Sequence, residues 1–353
     1  MHLLIDNNSI QRTNNFDFLR LVFAYFVIIS HCYPICGEHN CDWLCELSKK
    51  QIWFSFIGLK GFFVISGYLI FKSLSRSDSL KTYFLKRFYR IFPAFVTVLL
   101  ITVLLLSIVY NNDTTSYFYQ TSVWTYVPIN LSLVFYQLNI INLFETNPYP
   151  YIVNGSLWTI PYEVLFYCLL PLFKLTNENK TKLISLMIFT ILIFSSFYVT
   201  TSLKNMTLGS YQVNHLIDLM AYFLSGILIN LFKLETHLSN NKWILIFILL
   251  IVFSIYFHLF DYIKFIAFPI VIILIGNKSL PIINQVYKRI GDISFGLYLY
   301  AFPIQQTLYY YFKLKPMPLF IYSALITTVF AILSWHIIEK RFINKIKTKK
   351  LQA

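Results

Sequence analysis

The sequence predicts an all-α integral membrane protein of about ten transmembrane helices, with both termini in the cytoplasm and no soluble domain. Three observations predict it. The 353 residues are 57% hydrophobic and only 12% charged, with a mean hydropathy of +0.62, which is outside the range of water-soluble globules. The apolar residues gather in runs of roughly 18 to 20, long enough to cross a hydrocarbon core of about 30 Å. Lysine and arginine fall unequally on the loops between those runs.

The expected spans are 17–36, 52–71, 91–110, 156–173, 183–200, 215–232, 243–260, 262–276, 291–312 and 318–338. The first contains Asp17 and Arg20 and lacks a small-residue cleavage site, so it reads as a span and not as a signal peptide. The eighth is the shortest. The segment 125–144 carries Pro128, Asn130, Gln137, Asn139 and Asn142 and reads as an interfacial or re-entrant helix rather than a crossing. Ten crossings place both termini on one side. Twenty-one lysines and arginines then lie on that side and six on the other, so the positive-inside rule makes the first side cytoplasmic. Counting 125–144 as a crossing would put the basic C-terminal tail outside. The formal net charge of +14 is accordingly a topology signal and an attraction to anionic membrane lipid; no nucleic-acid partner is expected.

Ionisable residues inside apolar helices are expensive and mark functional candidates. In FDFLRLVFAYFVIISH, Arg20 and His31 are eleven residues apart, three turns to within roughly 20°, so they share a helix face. Asp17 joins the same stripe. His31 lies about 16 Å along the helix from Arg20. Asp17 and Arg20 also read as interfacial anchors that snorkel to water. Arg87 and Arg90, three apart in KRFYRIFP, project from one side of a helix ending at Pro93. They read equally as a phosphate-binding fork or as a positive-inside anchor. Glu163 sits about 10 Å inside the fourth span, at a depth similar to that of His31. The two read as a base with its orienting partner, or as unrelated interfacial groups. His215 with Asp218, and His336 with Glu339, read as helix-surface pairs. Cys32, Cys36, Cys41 and Cys45 cluster outside the first span, where a disulfide is expected with its pairing open. Their spacing is not that of a zinc site, and no metal is expected.

These residues carry a resemblance. The chain resembles the acyltransferase 3 family of integral membrane O-acyltransferases over about residues 14–345. The first span resembles the family's helix with arginine and histidine eleven apart. GLKGFFVISGYLI resembles its FF-x-x-SGY signature at Phe62, Phe63, Ser66, Gly67 and Tyr68. KRFYRIFP resembles its cytoplasmic R-x-x-R element, and GSLWTIPYEVLFY the motif that places its glutamate at Glu163. ISFGLYLYAFP and SWHIIEKRF resemble its last two motifs. Two positions depart: Lys60 stands where many members have aspartate, and Tyr300-Ala301 where many have Trp-His.

The resemblance implies a cytoplasmic tail at 1–15, a transmembrane acyltransferase domain at 16–340, a basic cytoplasmic tail at 341–353, and residence in the bacterial inner membrane. It implies transfer of an acyl group, chiefly acetyl, from acetyl-CoA to a sugar hydroxyl of a lipid-linked or surface polysaccharide. Arg87, Arg90 and Ser66 would then hold the acyl-CoA. Arg20 would position the thioester, with Asp17 as its partner, and His31 would be the general base or a transient acyl carrier. Glu163 would orient that base or bind the sugar. The competing classes are a glycolipid transporter or flippase with the same residues as a relay, and a non-catalytic scaffold in polysaccharide assembly.

Overall fold

The computed structural model describes residues 14–38, 41–110, 114–198, 206–279 and 290–344. Most of the two expected tails lies outside these residues. Helices are found at each expected span: α1 (Phe16–Ile35), α2 (Phe54–Ser75), α3 (Leu80–Leu106), α4 (Ile160–Leu169), α5 (Glu178–Tyr198), α6 (Val213–Leu231), α7 (Asn241–Tyr256), α8 (Ala267–Asn277), α9 (Ser294–Phe312) and α10 (Pro316–Ser334). Among the described residues, 7 segments are long and apolar enough to cross a membrane: α1, α2, α3, α4 with its flanks, α5, α6 and Pro316–Asn344. α7 and α8 are shorter apolar helices. α9 has 19 residues, and Gln305 and Gln306 in its middle lower its hydropathy. The described β structure is one two-residue pairing, Thr207–Leu208 with Tyr211–Gln212.

The outer helices have the burial pattern of a bundle solvated by lipid. On α5 the buried residues are Thr181, Ser185 and Phe189, one turn apart on one stripe. On α10 the inward stripe holds Ser323, Thr327, Ala331 and Ser334, whereas Ile321, Leu325, Val329 and Leu333 point outward. Small and hydroxylated residues inside, with large aliphatics outside, is the reverse of a water-soluble helix and the expected choice in hydrocarbon. The chain is therefore a multi-pass membrane protein.

Three expected boundaries shift, each for a local reason. α3 does not stop at Pro93 but runs through it for 27 residues. Proline removes the amide that would have donated to the Tyr89 carbonyl, a loss that a membrane helix tolerates. Arg87 and Arg90 thus belong to the same helix as the third span. The fourth span is composite, with 3₁₀ turns at Gly155–Thr159 and Leu170–Leu175 on either side of α4; Pro161 and Pro171 remove two of the amides a continuous α-helix would use. Within 125–144, the helix Thr121–Leu131 ends, and the remainder is irregular, with turns and bends on either side of 135–140.

Contacts between helices give their directions. The start of α1 meets the end of α8, where Asn15 N donates to Gly276 O at 2.8 Å. Phe23 packs on Gly58 and Gly61 while Phe16 reaches Tyr68, so α2 runs antiparallel to α1. Ala24 and Ile28 pack with Leu297 and Ala301, and Gln305 Nε2 donates to Ile28 O at 2.7 Å, so α9 runs parallel to α1. One end of the bundle therefore gathers the starts of α1, α3 and α9 with the ends of α2, α4 and α8. The other gathers His31, the cysteine turn and the loop 114–154. On that turn Cys41 and Cys45 form a disulfide, while Cys32 and Cys36 are free.

Candidate active site

α1, α2, α3, α4 and α9 enclose a cavity of about 700 Å³. At the bundle end that holds the starts of α1 and α3 it is lined by Asp17, Arg20, Lys86, Arg87, Arg90 and Asp292. Further in, the wall is apolar and aromatic, with Phe62, Phe63, Ile160 and Phe295. Glu163 and Tyr167 lie nearer the arginine end, where α4 finishes, and Thr159 and Tyr298 close the inner end. Six of the seven residues expected at the site line this one space: Asp17, Arg20, Ser66, Arg87, Arg90 and Glu163.

Asp292, which the sequence reading passed over, organises the charged end. Its Oδ2 accepts from Arg20 Nη1 at 2.8 Å and from Arg90 Nη2 at 2.5 Å. Ser294 Oγ donates to Oδ1 at 2.6 Å. Arg20 also meets Asp17 at 3.0 Å, one turn back on α1, the pairing expected of a membrane arginine. The turn that delivers Asp292 needs Gly291. Its φ is +87°, and a Cβ there would collide with the Trp335 indole. The available signal was an aspartate at the head of an apolar run on the lysine-rich side of the membrane. Arg87 differs from its neighbours. Its Nη2 makes a 3.5 Å contact to Ser73 Oγ, its Nε is buried without a hydrogen bond, and no carboxylate among the described residues forms an ion pair with it.

Glu163 faces the charges of Arg90, Arg87 and Arg20 across the cavity. Tyr167, one turn along α4, donates its hydroxyl to Glu163 Oε1 and stands beside Ser66. Tyr167 went unnoticed because nothing in the sequence distinguishes it from the other 25 of the chain's 26 tyrosines. His31 is elsewhere: it does not line the cavity. Its ring packs edge-on against Phe302 at 5.2 Å, and its Nδ1 is buried without a hydrogen bond. The structure thus shows no hydrogen bond between His31 and Glu163.

The lesser candidates are also placed. Lys60 pairs with Asp218 and lies 5.8 Å over the Tyr222 ring, while His215 packs at a tilt against Trp158, ring centroids 4.5 Å apart. These are contacts across helices rather than a surface pair. Glu339, expected on a helix surface, is buried in a π-helical turn, Trp335–Glu339, and accepts from Ser334 Oγ at 3.1 Å. The described residues contain no group of three metal-ligating side chains.

The architecture and the site together define a membrane-embedded helical bundle with an arginine-lined internal cavity. The chain belongs to the acyltransferase 3 family, whose acyltransferase domain matches residues 13–336. It is 28% identical to an O-acetyl transferase of Shigella phage Sf6 over 355 residues, covering 96% of this chain and 98% of that protein. It is 26% identical to nodulation protein 10 of Rhizobium leguminosarum bv. viciae, covering 95% and 94% respectively. No solved structure matches it.

Proposed function

We propose that this protein is an O-acetyltransferase of the bacterial inner membrane. It moves acetyl from cytoplasmic acetyl-CoA to a sugar hydroxyl of a lipid-linked or surface polysaccharide. The observation that supports this most is the polarity of the cavity: basic side chains at one end with a carboxylate facing them, and an apolar, aromatic passage behind. An arginine fork suits phosphate, and the passage suits a flexible thioester-bearing arm. The unspent donors of Arg87 fit a phosphate ligand. The Sf6 relative's name supports O-acetyl transfer.

On this reading ten helices cross the membrane with both termini cytoplasmic, and the arginine end opens to the cytoplasm. Arg87 and Lys86 hold the donor's phosphates. Arg90, tied to Asp292, sets the electrostatic potential of the mouth. Arg20 and Ser66 line the path of the thioester. His31 takes the proton of the acceptor hydroxyl as its oxygen attacks the thioester carbonyl. The carbon–sulfur bond breaks, and the thiolate leaves into the field of Arg20, Arg87 and Arg90, where it regains a proton. Glu163, held by Tyr167, serves the donor side rather than orienting the imidazole.

The test is His31→Ala and Arg87→Ala in the native host, with O-acetyl groups on the isolated polysaccharide quantified at matched protein levels. Each substitution is expected to lower acetylation at least tenfold, with the amount of polysaccharide unchanged. Normal acetylation in both would reject the roles assigned to them. Loss of the polysaccharide itself would favour an export function.

A further inference from the structure

Building on that reading, the structure raises the question of how a thioester in the cavity reaches His31. Two layers stand between them, both carried by the turn Gly155–Thr159 and the first turns of α9. In the lower layer, Thr159 Oγ1 and Tyr298 Oη are hydrogen-bonded at 2.7 Å, and both residues are buried at the cavity's inner end. In the upper layer, one turn on along α9 and at the start of the Gly155–Thr159 turn, Phe302 covers Gly155 so closely that a Cβ there would lie 2.7 Å from its ring. Phe302 also packs against the His31 ring at 5.2 Å. Two polar atoms of this layer, Ser156 Oγ and His31 Nδ1, are buried without a hydrogen bond.

We propose that Thr159 and Tyr298 are positioning residues that seal the donor cavity, keeping the thioester apart from His31 until an acceptor opens the partition. The argument is chemical. A thioester beside an imidazole base and water hydrolyses; an enzyme that holds its donor while waiting for a scarce glycan gains by excluding both. The seal is one neutral hydrogen bond, which opens readily. It is backed by Tyr298 packing edge-on against Phe62 at 6.0 Å. The upper layer offers the acceptor a handle. Phe302 also touches Tyr149 at 6.0 Å, and Tyr149, in the loop at that end of the bundle, is 39% exposed. A sugar ring that displaces Tyr149 removes the outer support of Phe302. In the leak reaction the oxygen of water replaces that of the sugar: the carbon–sulfur bond breaks, and acetate, a proton and the free thiol of CoA are released.

The experiment uses purified protein in lipid nanodiscs with acetyl-labelled acetyl-CoA, counting labelled acetate and labelled glycan with and without acceptor. Thr159→Val and Tyr298→Phe preserve volume and remove the hydrogen bond. Each is expected to raise the ratio of acetate to acetylated glycan about fivefold, the population shift that follows loss of one neutral hydrogen bond. Phe302→Leu, which opens the upper layer, makes the same prediction and stands in should either variant fail to accumulate. A wild-type ratio in variants that still transfer acetyl would overturn the seal and leave the enzyme reading intact. A wild-type protein that yields neither acetate nor acetylated glycan would reject both.

Discussion

At the residue scale, one carboxylate carries more of the site than any other side chain. Asp292 receives two guanidinium groups and a hydroxyl, and each arginine comes from a different helix. Removing one partner of a buried ionic group leaves the others uncompensated, at a cost of about 3 kcal/mol or more. Asp292→Ala is therefore expected to lower thermal stability in detergent markedly. Asp292→Asn, which keeps an acceptor oxygen but not the charge, should fall in between, and thermal unfolding of the three proteins would show whether that order holds. Arg87→Ala should cost far less stability, because no carboxylate among the described residues is ion-paired with Arg87 and left stranded by its loss. A large destabilisation there would contradict its assignment to a ligand.

At the scale of elements, α2 and α6 cross at two glycines. A Cβ at Gly67 would strike the Phe223 carbonyl, and one at Gly226 the Val64 carbonyl. The obstacle is backbone on both sides, so no rotamer change relieves it. Overpacking of this kind costs about 1–3 kcal/mol. Gly67→Ala and Gly226→Ala are each expected to reduce the folded fraction recovered from membranes, with Gly296→Ala milder because the nearest atom to its Cβ is the Ala331 side chain at 3.1 Å. Equal recovery of all three would show that the crossing is looser than the contacts indicate. The same scale shows what periodicity reveals. Arg20 and His31, on one helix face in the sequence, do face the same neighbour: Arg20 meets Asp292 just before α9, and His31 meets Phe302 on it.

At the scale of the whole molecule, the lysine and arginine asymmetry and the alternating helix directions make one topology prediction. A reporter fused after residue 344 should be active only where it reports the cytoplasm, and one inserted near the Thr207–Gln212 hairpin only where it reports the outside. Reversal of either would break the ten-crossing arrangement. It would also move the arginine mouth away from any cytoplasmic donor. Family membership covers residues 13–336, so His31, the partition and every lining residue of the cavity except Ile343 lie within the shared domain.

The helices were legible in the sequence because their signals are local. Apolar length marks a span, and the 3.6-residue period aligns Asp17, Arg20 and His31 whatever surrounds them. The charged candidates were legible for the same reason, since an ion in an apolar run stands out against hydrocarbon. The helix end misplaced at Pro93 shows the limit of local rules, because neighbouring packing decides whether a proline stops a membrane helix. The contacts that make the site were not legible. Arg20 and Arg90 reach Asp292 across 272 and 202 positions, and Tyr298 finds Thr159 across 139. Those encounters depend on which helices are neighbours and at what register, and no period along one helix sets either. Sequence alone thus determined a membrane bundle bearing Asp17, Arg20, His31, Arg87, Arg90 and Glu163. Only the tertiary structure decided that five of them share a cavity and that Phe302, Tyr298 and Thr159 stand between it and His31.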